Sequence, residues 1–182
     1  HIKFIVKLLQ DKGFPIIYEH NMAGVKDYEI AKTNVLKKLD ADKYNLFTVD
    51  DPEQLLKYSP KYNEIIKRCN SVNGLSFIYT EYKTLEGIGV LKIILKANGY
   101  AEFVLKKNEA GEYEQVFENA EDVDKPKFAF WGGDEELSDL IRKVYNNQFD
   151  ELPVILRTQL EKSGKNNLRG GVIKILLTTK SG

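Results

Sequence analysis

The chain has 182 residues and a mass of 20.9 kDa, with 42% hydrophobic and 30% charged residues. Ten Tyr, nine Phe and one Trp supply enough apolar bulk for a packed core and argue against a disordered chain. A mean hydropathy of −0.39, with no apolar run near the ~20 residues that cross a bilayer, excludes a helical membrane protein. The net charge is zero, 27 basic against 27 acidic residues, but seven acids and no Lys or Arg lie between Asn108 and Asp124. Six basic residues and one acid lie between Arg157 and Lys180. Local patches decide electrostatic binding, so a neutral total leaves a nucleic-acid partner open.

At the N-terminus no basic segment precedes an apolar block and a cleavage site, which gives the expectation of an intracellular, soluble protein. His1 in place of Met points to a processed or engineered start. Phe4, Ile5, Leu8 and Leu9 share one helical face that ends at Gly13, and a second helical pattern runs from about Val25 to Leu39. Asp51-Pro52-Glu53-Gln54 has the form of a capped helix start. A longer helix begins at Ser59-Pro60, with Tyr62, Ile65, Ile66 and Cys69 along one face, and stops at Asn73-Gly74. Cys69 is the single cysteine, so an internal disulfide or a cysteine-ligated zinc cluster is excluded, and its place on that stripe makes it a small core residue.

After Gly74 the apolar period shortens. Residues 75–80 read as a strand, Thr84 caps a helix carrying Leu85, Ile88, Leu91 and Leu95, and Ala101 to Leu105 read as a second strand. The acidic stretch 108–124 reads as an inserted hairpin or loop, peripheral to the sheet and removable at little cost. Phe128 to Trp131 form a third strand, followed by Gly132-Gly133 and a helix capped by Asp134. A short helix spans Pro153 to about Lys162, a basic loop spans 163–171, and Val172 to Leu177 form the last strand. Strands that alternate with helices in this way specify an α/β fold with a parallel sheet, which binds ligands beyond the carboxyl ends of its strands. Thr80-Glu81-Tyr82-Lys83-Thr84 follows the first strand and Thr178-Thr179-Lys180-Ser181-Gly182 the last; both are rich in hydroxyls and carry a lysine suited to phosphate.

Other catalytic motifs fail. Gly164-Lys165 lacks the remainder of a phosphate-binding loop, and Gly87-x-Gly89 lacks the third glycine of a dinucleotide fingerprint. Asp134-Glu135-Glu136 follows two glycines rather than a strand, so Asp134 reads as a helix cap and not as a magnesium ligand. His20 has no neighbouring histidine or cysteine with which to bind a metal, and no Gly-x-Ser-x-Gly elbow occurs.

Ser59-Pro60-Lys61-Tyr62, Phe77-Ile78-Tyr79-Thr80-Glu81-Tyr82, Glu86-Gly87-Ile88 and Gly99-Tyr100, with the run from Gly170 to Gly182, together resemble the second RecA-like lobe of superfamily 2 helicases. In this resemblance residues 75–82 would be helicase motif IV, and 170–182 look like the strand and opening of motif V. The resemblance covers about Ser59 to Gly182 and extends to the helicase-like transcription ATPases of nucleocytoplasmic large DNA viruses, of the poxvirus early transcription factor small-subunit type. It implies a RecA-like three-layer lobe over 59–182, a helical N-terminal extension over 1–58 and an acidic insertion at 108–124.

The resemblance also implies a nucleic-acid-dependent ATPase acting in viral transcription. Thr80, Tyr82, Lys83, Thr178, Thr179 and Lys180 would hold DNA or RNA, Lys165 and Arg169 would be auxiliary phosphate contacts, and Ser181 and Gly182 would border the ATP cleft. The family's first lobe and its arginine-finger helix are absent from this sequence. A piece of a larger protein is therefore expected, which works with ATP and Mg2+ only as a whole and is inactive by itself. The implied partners are nucleic acid, the missing N-terminal lobe and transcription machinery, with no membrane; the implied location is the host cytoplasm, a viral factory or the virion. Two other readings stand beside it: a non-catalytic α/β module that docks a basic protein through its acidic insertion, and half of a two-lobed nucleotide-sugar transferase.

Overall fold

A computed structural model describes residues 2–13, 25–82 and 85–180. The chain divides into two compact units, one of residues 1–67 and 82–98, the other of 68–81 and 99–182. These units differ from the expected boundary at residue 58, because the segment after the first strand gathers with the N-terminal helices.

The first unit is helical. Helices α1 (Ile2–Asp11), α2 (Val25–Ala41) and α3 (Lys43–Leu46) are followed by a wide π-turn at Pro52–Leu56, the first part of α4 (Pro60–Ser71), a second π-turn at Leu85–Gly89 and α5 (Val90–Ala97). The Asp51 side chain accepts a hydrogen bond from the Glu53 amide (2.8 Å), as its sequence context requires. The Gln54 side chain donates through Nε2 to the Asp51 carboxylate (3.1 Å) and accepts through Oε1 from the Thr48 amide and hydroxyl (3.1 and 3.0 Å). Helix α5 is tied to the end of α3 by Asn98, whose Nδ2 donates to the Phe47 carbonyl (2.8 Å) and whose Oδ1 accepts from the Val49 amide (3.0 Å). Gly87 has no room for a side chain, since a Cβ there would lie 1.8 Å from the Tyr82 carbonyl oxygen. That carbonyl accepts from the Ile88 amide (3.1 Å), so the turn into α5 closes directly onto Tyr82. Thr84, expected as a cap, lies outside the described residues, as does His20.

The second unit is built on a four-stranded, all-parallel sheet of order β1-β6-β5-β2, comprising β1 (Ser76–Thr80), β2 (Ala101–Glu102), β5 (Lys127–Trp131) and β6 (Ile175–Thr179). The expected strand at 101–105 is divided because it changes partner. Residues 101–103 pair with β5, whereas β3 (Val104–Lys107) turns away to pair antiparallel with β4 (Tyr113–Val116). Helices α6 (Glu135–Tyr145) and α7 (Val154–Lys162) complete the unit. Leu140, Ile141 and Val144 of α6 and Leu156 and Leu160 of α7 form one core with Phe103, Leu105, Ala129 and Leu176. Asp134 caps α6 through the Leu137 amide (2.8 Å). The architecture is an α/β fold with a parallel sheet flanked by helices, consistent with a RecA-like lobe.

The last strand begins three residues later than its apolar pattern suggests. Val172 and Ile173 donate their amides to the side-chain oxygen of the fully buried Asn167 (2.9 and 2.7 Å) and so stay out of the ladder. Asn167 also donates through Nδ2 to the Tyr145 carbonyl (2.8 Å), and its amide donates to Asn147 (2.7 Å). One side chain thus holds the loop 163–171, the end of α6 and the entry to β6 together. Cys69 is buried, as its helical stripe predicts, and burial pushes its thiol pKa up.

Candidate nucleic-acid interface

Parallel strands in a common register leave the sheet on the same side. β1 and β6 pair from Ser76↔Ile175 to Thr80↔Thr179, so the segments after both strands start from one edge. β5 ends beside them, with Trp131 opposite Thr178. Two strand ends far apart in the chain, Thr80 and Thr179, are thereby brought to one carboxyl edge.

The late start of β6 changes what that edge offers. Thr178 and Thr179, expected in a loop, are the last two residues of the strand and are buried. The Thr178 hydroxyl donates to the Trp131 carbonyl (3.0 Å) and joins β6 to β5, a structural role. The Thr179 hydroxyl is buried and has no hydrogen-bond partner. Lys180 is exposed at the start of the turn, and Thr80 is half-buried at the end of β1. Tyr82 is 44% exposed, and its backbone carbonyl is held by Ile88. Lys83, Ser181 and Gly182 lie outside the described residues.

Lys165 and Arg169 do not join this edge. Their loop leads into the amino end of β6, and a five-residue strand at about 3.3 Å per residue separates them from Lys180. Arg169 is exposed there. Lys165 points to the acidic segment: its Nζ donates to the Val123 carbonyl (3.3 Å) and lies 3.7 Å from the Asp124 carboxylate. Sequence spacing places these residues near Lys180 along the chain; the strand between them sends them to opposite ends of the sheet.

The acidic segment takes the hairpin form of the two expected. It is also bound more firmly than a peripheral insertion. The Gln115 amide donates to the Gln159 side-chain oxygen of α7 (2.7 Å), and the Gln159 Nε2 donates back to the Gln115 carbonyl (2.8 Å). Tyr113 packs on the α6–α7 core. Beyond β4, a short 3-10 turn (Ala120–Val123) is closed by a reciprocal Asn119–Asp122 capping box. Lys125 bridges Glu121 and Asp122 (2.8 and 2.9 Å), which holds its ammonium well above the usual lysine range.

Lys127, at the start of β5, was not singled out by any sequence motif. It is 4% exposed, and burial followed by the nearby Lys165 charge lowers its pKa to about 8. The available signal is a lysine opening the apolar run Lys-Phe-Ala-Phe-Trp. Among the described residues no group of three or more His, Cys, Asp or Glu side chains gathers to hold a metal ion.

No family model matches the chain, and no solved structure matches it. It is similar to a protein of Acanthamoeba polyphaga mimivirus named "Putative ATP-dependent RNA helicase", at 26% identity over 148 residues, covering 77% of this chain. The relationship is helicase-like. The chain spans 23% of that protein's length. No helix among the described residues is long and apolar enough to cross a membrane.

Proposed function

We propose that this chain is a second RecA-like lobe of a superfamily 2, nucleic-acid-dependent ATPase, working in viral transcription in the host cytoplasm or the virion. The observation that carries the reading is the pairing of β1 with β6. The two strands that bear the motif IV-like and motif V-like residues are neighbours, parallel, and end together at Thr80 and Thr179. The similarity to the mimivirus protein supports it.

In this reading Thr80, Tyr82, Lys83 and Lys180 grip the phosphates of one DNA or RNA strand, and Ser181 and Gly182 border the ATP cleft. The buried Thr178 and Thr179 shape the end of the strand rather than meet solvent-borne phosphate. ATP and Mg2+ are held chiefly by the partner lobe, whose closure and opening moves the grip along the strand or remodels a complex. This chain alone hydrolyses no ATP, because developing charge on the transferring phosphoryl group meets neither a phosphate-loop lysine nor an arginine finger.

The test is the salt dependence of anisotropy for a labelled single-stranded RNA. With Lys83 and Lys180 as the main phosphate contacts, log K falls by roughly 0.7 per contact for each decade of salt. The double variant Lys83→Gln/Lys180→Gln flattens that slope by about one. An unchanged slope overturns the reading. A slope that follows Glu112, Glu114 and Glu118, with a basic peptide as the better ligand, would instead establish the docking module.

A further inference from the structure

A recess of about 130 Å³ opens in the second unit between β4, the 3-10 turn at 120–123, the start of β5, the end of α7 and the loop 163–171. Its apolar walls are Phe117, Val123, Leu160 and Val172, and its charged groups are two cations, Lys127 and Lys165, against one anion, Asp124. The volume is close to that of cavities which accept a benzene-sized ligand.

The charge in this recess is unbalanced. An ammonium has three N–H donors, and Lys127 uses two of them, on the Val123 and Lys125 carbonyls (2.8 and 2.9 Å). Its Nζ lies 5.5 Å from the centre of the Phe117 ring, which compensates part of the charge. No carboxylate among the described residues pairs with it. Asp122 is engaged by Lys125 and Asn119, and Asp124 reaches toward Lys165. A buried cation without a counter-ion is costly and is relieved by deprotonation or by a bound anion.

We propose that the recess binds a small organic carboxylate with an apolar or aromatic body. The carboxylate accepts the third N–H of Lys127 and faces the Lys165 ammonium, while the body lies against Phe117, Val123, Leu160 and Val172. The ligand spans the acidic insertion and the basic loop, so binding fixes the loop that carries Asn167 and leads into β6. The groups facing Lys127 are Lys165, Asp124 and Asp122, and with burial they leave its pKa at about 8. An anion in the recess raises that value, so binding above pH 8 takes up a proton.

Benzoate is the probe, and benzyl alcohol is the neutral control of similar shape, both titrated into the full chain by calorimetry. Benzoate binds with a Kd on the order of 1 mM at pH 7, as befits so small a ligand, and about ten-fold more weakly at pH 9, where most Lys127 is neutral. Benzyl alcohol binds detectably less. Lys165→Gln weakens benzoate by about three-fold or more, and Lys127→Met abolishes its binding. On the unaltered protein, benzoate protects Lys127 from acylation by an N-hydroxysuccinimide ester, read by peptide mass. Equal binding of benzyl alcohol, absence of saturable benzoate binding, or acylation of Lys127 undiminished by benzoate would each overturn the proposal.

Discussion

The acidic stretch 108–124 and the basic stretch 157–180 have the same kind of sequence, a run of one charge with scattered apolar residues, yet the fold uses them differently. The acidic run keeps most of its charges exposed while β4 is bonded through Gln115 to α7 and Tyr113 packs on the core. The basic run is divided among the end of α7, a loop pinned by the buried Asn167, and the central strand β6. The two meet where Lys165 reaches Val123 and Asp124. A charge run reports where side-chain ends go; it does not report whether the backbone beneath is free.

The sharpest way to break this contrast is at Asn167. Asn167→Ala leaves the Val172 and Ile173 amides buried without their acceptor and destabilises the protein by about 3–5 kcal/mol, read as a fall in the urea midpoint. A loss below about 1 kcal/mol would show that water or a shifted backbone replaces the side chain.

The hairpin comes next. Gln159→Ala removes both bonds to Gln115 and costs about 1–2 kcal/mol. Deleting 108–124 outright destroys cooperative unfolding, against the near-neutral outcome expected of a peripheral loop. Shortening only the tip between β3 and β4 changes stability by a few tenths of a kcal/mol, since loop closure costs only ~0.6 kcal/mol per doubling. Equal effects of the two deletions would contradict the docking of β4.

The effect at Lys127 is of about the size of a single hydrogen bond and has a definite sign. Its folded pKa of about 8 lies below the ordinary lysine value, so between these values the unfolded chain binds more protons than the folded one. Stability therefore rises with pH, by about 1 kcal/mol between pH 8 and 9, and Lys127→Met removes that rise. A wild-type profile flat over this interval would mean that the ammonium is well solvated.

Much of the candidate interface was legible, because it rests on strand order. Four strand patterns, with helical patterns between the first and second and between the third and fourth and the acidic insertion between the second and third, imply parallel pairing, and β1 and β6 end together at one edge. What was misjudged came from side chains competing with the backbone. Apolar content places Val172 and Ile173 in the strand, but Asn167 takes their amides, and the strand moves to enclose Thr178 and Thr179. The resemblance groups Lys165 and Arg169 with Lys180 as phosphate contacts, and a strand's length separates them.

The sequence by itself determined the helix and strand periods, the Asp51 and Asp134 caps, the core placement of Cys69 and the parallel α/β class. The periods, caps and Cys69 stripe depend on residues a few positions apart, whose hydrogen bonds and apolar faces are decided locally, and the α/β class follows from the order of those elements along the chain. The tertiary structure alone decided the grouping of α5 with the N-terminal helices, the docking of the hairpin on α7, the true start of β6, and the recess where Lys127 lies without a counter-ion. The first two depend on groups that meet across tens of residues; Asn167 and Lys127 bond near neighbours, but Tyr145, Asn147 and Lys165 from elsewhere in the chain fix where they sit, and the need to satisfy a buried amide or ammonium outweighs the local pattern.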